Sequence, residues 1–170
     1  MWRASTEFAR WRDQRWIDKR AEVAGECAVA AVRFCEAAAD LAIDVFVNPE
    51  RTPNELRHEW LARVLSARRQ DDTIEEIRLD FLKAQTLALV YLPSEVSELL
   101  EELRLRRIRL VVDQDSCVRA LAHSDKDDSL LARALGDQPR AEFERLKSRV
   151  LALLKPMIEM ATTRVRPVKK

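Results

Sequence analysis

The sequence predicts an all-α fold, a mainly antiparallel four-helix bundle with a long N-terminal helix and an extra short helix. Three observations predict it. Apolar residues recur every three or four positions in each long segment, and the apolar–polar alternation of a strand is absent. The chain of 170 residues holds only 2 glycines, and most of its 6 prolines fall between the helical segments as punctuation. Charged residues at 35% against 47% hydrophobic suit a bundle with salt-bridged outer faces.

The first helix organises the rest. Val23, Cys27, Ala30, Phe34, Ala38, Leu41 and Val45 fall within one stripe roughly 80° to 100° wide at 3.6 residues per turn. Glu22, Glu26, Arg33, Glu36, Asp40 and Asp44 fall on an adjoining face. Ala28, Ala31, Ala37, Ala39 and Ala42 favour the helix and admit a close neighbour. Gly25 is its one local weakness, at up to about 1 kcal/mol relative to Ala. Pro49 drives Asn48 out of the helical region and ends it. Residues 1–15, with Trp2, Phe8 and Trp11 among Arg3, Arg10, Arg12 and Arg15, extend this helix to the N-terminus. The expected span is 3–47, about 65 Å long, more than the other segments can cover.

Thr52-Pro53-Asn54-Glu55 predicts the second helix, at 53–69, with Thr52 and Glu55 closing a capping box and Pro53 where its missing N–H is harmless. Leu56, Trp60, Leu61, Val64 and Leu65 are its inner residues. After Gln70-Asp71-Asp72, Asp72 or Thr73 caps a third helix, 73–91, which buries Ile74, Ile77, Phe81, Ala84, Ala88 and Leu92. Pro93 separates it from a fourth, 94–122, with Val96, Leu99, Leu100, Leu103, Leu110, Val118 and Leu121 inward. Arg107 and Gln114 fall in that same stripe and are the candidate buried polar residues. A buried arginine needs a partner, and Asp80, Asp113 and Asp115 are the acids considered; the plainer account puts Arg107 at a bundle edge, its stem packed and its head in water. A short helical turn at 129–135, which Gly136 can terminate, precedes a last helix, 140–164, opened by Pro139. Its stripe is Phe143, Leu146, Val150, Leu153, Leu154, Met157 and Ala161, interrupted by Pro156. The domain division is thus a 1–15 aromatic and basic extension, a 16–164 helical-bundle domain and a 165–170 basic tail.

Catalytic patterns are thin. His58 and His123 belong to no metal-binding spacing, and His58 suits a solvated helix position. The acids after His123 lack the glycine and closing glutamate of a calcium loop, and a capping loop accounts for them better. Glu22 with Glu26, and Glu36 with Asp40 and Asp44, lie off the apolar stripe, where a di-metal carboxylate bundle would need them inside. Two glycines form no phosphate-cradling loop. No metal or cofactor is therefore expected. Cys27, Cys35 and Cys117 form no C-x-x-C pair and read as small core residues in a reduced, cytoplasmic setting. Arg104, Arg106, Arg107 and Arg109 point around their helix, and a net charge of +1 gives no field for nucleic acid, so no specific nucleic-acid partner is expected. No run reaches membrane-spanning length and no signal-peptide core leads the chain.

Three stretches carry a family likeness: Trp16-Ile17-Asp18-Lys19-Arg20-Ala21-Glu22 opening the long helix, Tyr91-Leu92-Pro93-Ser94-Glu95-Val96, and Phe143 leading to Leu154-Lys155-Pro156. In these the chain resembles a group of short, uncharacterised bacterial all-helical proteins. The resemblance implies an all-α fold and, in that group, a membrane-spanning segment just before the tryptophan-led helix. Residues 1–15 depart from that pattern, being too short and too charged to span a bilayer. No activity comes with the likeness.

The expected function is non-enzymatic: a protein–protein interaction or scaffold bundle, self-associating in coiled-coil fashion or binding another protein through Trp2, Phe8, Trp11, Arg12 and Trp16. The alternative is a peripheral protein at the inner face of a membrane, using the same tryptophan and arginine side chains. An enzyme centred on Arg107 is the third reading.

Overall fold

The computed structural model describes residues 2–43, 55–123 and 137–164, and at residues 2–6, 8, 43 and 161–164 the backbone alone. Five α-helices occur among them: α1 (Trp2–Ile43), α2 (Arg57–Arg69), α3 (Asp72–Tyr91), α4 (Ser94–Ala122) and α5 (Asp137–Arg164). The fold is all-α, and no strand occurs among the described residues.

The 42 residues of α1 rise about 63 Å. It runs unbroken through Gly25, where an added Cβ would meet nothing within 4 Å. Its apolar stripe is the centre of the molecule: Val23, Cys27, Ala30, Phe34, Ala38 and Leu41 are all buried. Phe34 stacks on Phe81 of α3 with ring centroids 4.0 Å apart. Ala24, Ala31, Cys35 and Ala42 are buried as well, widening the stripe so that α1 packs against both α3 and α5. Small side chains on both flanks let two helices approach one.

The inner faces of the other helices follow their periodicity. Phe81, Ala84, Ala88 and Leu92 are buried on the α3 side, with Ile74 and Ile77 packed beside them. On α4, Val96, Leu99, Leu100, Leu103 and Leu110 join the main core. Phe143, Leu146, Val150 and Leu154 do the same from α5, but Leu153, expected inside, is 38% exposed because it lies on the rim of that stripe. A second, smaller cluster gathers Leu61, Val64 and Leu65 of α2 with Cys117 of α4, flanked by Trp60, Val118 and Leu121.

Helix starts differ from expectation. α2 begins at Arg57, not at residue 53, because the Glu59 carboxylate accepts the Leu56 backbone N–H at 3.1 Å while Leu56 is extended. Glu55 instead holds Arg63 in a bidentate pair at 2.8 and 2.9 Å. Asp71, one residue earlier than expected, caps α3 by accepting from Thr73 N at 2.8 Å. α5 starts at Asp137, so Pro139 sits inside the first turn, where a missing N–H loses no intrahelical bond. α5 also continues through Pro156. His58 is half-buried rather than solvated. Val45, the stop at Asn48-Pro49, the start at Thr52-Pro53, the turn at 129–135, the acids after His123 and the tail lie outside the described residues, as do the side chains of Trp2, Phe8 and Ala161.

Candidate functional site

The N-terminal end of α1 carries the expected interaction residues. Followed toward the N-terminus, the buried stripe passes through Trp16 and then meets Arg12 and Ala9. Apolar content stops there, and burial stops with it. Every residue from Arg10 to Trp16 is exposed, Trp11 at 52% and Trp16 at 49%. Trp16 still meets the last residue of α3, its ring 5.4 Å from that of Tyr91. Arg15 lies over the Trp11 ring at 4.7 Å. Trp11, Arg12, Arg15, Trp16, Lys19 and Tyr91 line a shallow cavity of about 450 Å³. Trp11 and Trp16 are about half exposed there, while the cations are partly engaged: Lys19 with Glu22 at 3.0 Å and Arg12 with Asp13 at 3.8 Å. Such a surface offers large, stiff contact area with positively charged rims, the composition of protein-binding hot spots.

The two polar residues in the α4 stripe have different surroundings. Gln114 is fully buried and its amide is matched on both sides. Nε2 donates to the Leu41 carbonyl at 3.0 Å, and Oε1 accepts from Arg69 Nη2 at 3.1 Å. Arg69 also donates to Asp115 at 2.7 Å and to the Val111 carbonyl at 3.3 Å. Its neighbour Arg68 donates to the Asp40 carbonyl at 2.8 Å. The network therefore ties α1, α2 and α4 together and leaves the Gln114 amide no free group for a ligand. Arg107 is half-buried, with its guanidinium 5.9 Å from the Phe34 ring centre. Among the described residues no carboxylate lies within ion-pair distance of it. The acids considered for it are taken elsewhere or stand apart: Asp115 holds Arg69, and Asp80 holds Arg33 at 3.5 Å and Lys83 at 3.2 Å. Burial lowers the Arg107 pKa from its ordinary value, Arg78 adds to this, and Glu75 opposes it.

Sequence reasoning missed the polar seams. Arg106 pairs with Glu142 and Arg149 with Glu102 between α4 and α5. Gln85 of α3 donates to Glu101 of α4 at 2.7 Å. Hydrogen bonds from Arg104 and Gln85 hold the Glu101 carboxyl down at about 2. It also missed a second apolar line on α4. Leu105, Ile108 and Val112 are 41%, 44% and 54% exposed. Their spacing of three and four was a readable signal, masked by the arginines between them.

Burial pushes the Cys27 thiol up to about 11 and the Cys35 thiol up to about 12, which makes both poor nucleophiles. No group of three or more His, Cys, Asp or Glu side chains placed to hold a metal occurs among the described residues, and no described helix is long and apolar enough to cross a membrane. Comparison with family models, with curated proteins and with solved structures finds no match for this chain.

Proposed function

We propose that this chain is a non-enzymatic interaction or scaffold protein that docks through the N-terminal end of α1 onto a protein partner, a second copy of itself included. The observation that carries the reading is the bare stretch from Arg10 to Trp16 on an otherwise packed helix, with Trp11 and Trp16 half exposed. Two exposed tryptophans on a rigid helix lose little conformational freedom on binding. Beneath them we propose a mainly antiparallel bundle of α1, α3, α4 and α5. Supporting it, Trp16 meets Tyr91, Cys27 donates to the Ala84 carbonyl, and Phe34 meets Phe81, so that α1 numbers rise as α3 numbers fall. The Glu102–Arg149 and Arg106–Glu142 pairs, in which α4 numbers rise as α5 numbers fall, support it between α4 and α5.

Light scattering of the intact chain beside a chain starting at Trp16 tests self-association through this end. A larger mass for the intact chain is expected, and identical masses count against it. The second reading, peripheral membrane association at the cytoplasmic face, rests on the exposed Trp11 with Arg12 and Arg15 beside it, the pairing favoured at a membrane–water boundary. Flotation with anionic liposomes, with and without residues 1–15, decides it: flotation that depends on those residues supports it, and none retires it.

A further inference from the structure

Leu105, Ile108 and Val112 lie on the side of α4 turned away from the core. On the helical wheel they share that side with Glu98, Glu101, Ser116 and Arg119, while Val96, Leu103, Leu110 and Gln114 lie opposite. A groove of about 670 Å³ alongside brings Leu89 of α3, 69% exposed, next to Leu105. The line thus has an apolar middle and ends of opposite charge. Among the described residues Glu98 has no ion-pair partner, and Arg119 donates only to the Ser116 hydroxyl, at 3.4 Å.

We propose that this face of α4 docks on the same face of a second copy, the two helices running antiparallel about a two-fold axis beside Ile108. Charge selects the direction. A parallel pair would set Glu98 against Glu98 and Arg119 against Arg119. An antiparallel pair that sets Leu105 against Val112 of the other copy also sets Glu98 against Arg119, twice, and Glu101 against Ser116. Glu101 is already neutralised by Arg104. The two copies of Arg109 come near each other at the axis, but on the exposed flank, where solvent screens them. Three apolar side chains per copy make a small contact, so the dimer is concentration-dependent rather than obligate. It uses none of residues 1–15 and stands apart from the reading of the α1 end.

The test uses the full chain. Ile108→Cys places a thiol at the axis, while the three native cysteines are buried. Mild oxidation is expected to link Ile108→Cys into a dimer, while Val29→Cys, exposed on α1, stays unlinked. Sedimentation of the unmodified chain should show association that Val112→Asp weakens, whether or not the α1 end also contributes, and that Val29→Asp leaves unchanged. Glu98→Arg should weaken it about tenfold, and adding Arg119→Glu to that variant should restore it. Circular dichroism of each variant confirms the helical fold. No faster linking at position 108 than at position 29, or a dimer indifferent to Val112→Asp, overturns the proposal. A dimer lost in Trp11→Ala but kept in Val112→Asp overturns it too, while leaving the α1 reading intact. A dimer that Glu98→Arg does not weaken, or that Arg119→Glu does not restore, overturns the antiparallel arrangement.

Discussion

The two ends of α1 share one backbone and differ in everything around it. From Val23 to Leu41 each turn presents a buried side chain, and Phe34 is 3% exposed. From Arg10 to Trp16 every residue of the same helix is exposed, and Trp16 meets another helix at Tyr91. Propensity does not separate them, since arginine and glutamine favour a helix nearly as well as alanine. The difference is what the stripe carries: beyond Trp16 it offers Arg12 and Ala9, and no neighbour gains by covering those. Helical regularity is a local property. Burial is a property of the pattern, and one helix can have the first without the second.

Substitutions at the two ends test that contrast. Phe34→Ala should cost about 3–5 kcal/mol in a denaturant melt, from lost transfer energy and the cavity left against Phe81. Gln114→Ala should cost about 1–3 kcal/mol by the same measurement, because the Leu41 carbonyl and one Arg69 N–H lose a buried partner. The packed part should also fail in alkali. Folded Cys27 and Cys35 keep protons up to about 11 and about 12 that the unfolded chain releases near 9. Stability is therefore full below pH 9 and declines as pH rises toward 12, and thermal melts across that range should show it. A Cys27→Ala, Cys35→Ala double variant should flatten the decline. Gly25→Ala, with open space where its methyl would go, should stabilise the helix by about 0.5–1 kcal/mol, visible as a higher Tm. At the bare end, Trp11→Ala should shift stability by less than about 0.5 kcal/mol. A larger loss there would mean that the bare end is held by the rest of the fold.

Much of the fold was legible because period is legible. The three-and-four spacing picks out the buried stripe of α1 from Val23 to Leu41, though not its second flank at Ala24, Ala31 and Ala42. On α4 it made Gln114 stand out as a polar residue in an apolar stripe. Its partner did not stand out. Arg69 is 45 positions away and resembles any other arginine until the fold brings α2 against α4. The start of α2 was misplaced for a different reason: Thr52-Pro53 and Leu56-Glu59 are competing local signals, and sequence gives no weight to either. Arg107 stood out as a polar exception to its stripe, and among the described residues no carboxylate lies within ion-pair distance of it. What it lies over is an aromatic ring, a partner that charge pairing does not suggest.

The smaller cluster of α2 has a consequence for how the molecule opens. Leu61, Val64 and Leu65 bear on Cys117, and Arg68 and Arg69 fasten that helix to its neighbours by a few polar bonds. If α2 opens before the rest, it gives up that small apolar cluster and those bonds while the main core stays shut. Such an excursion uncovers the sulfur of Cys117 and leaves those of Cys27 and Cys35 sealed. A slow thiol reagent would then mark one cysteine of three, timing the latch rather than the collapse of the whole.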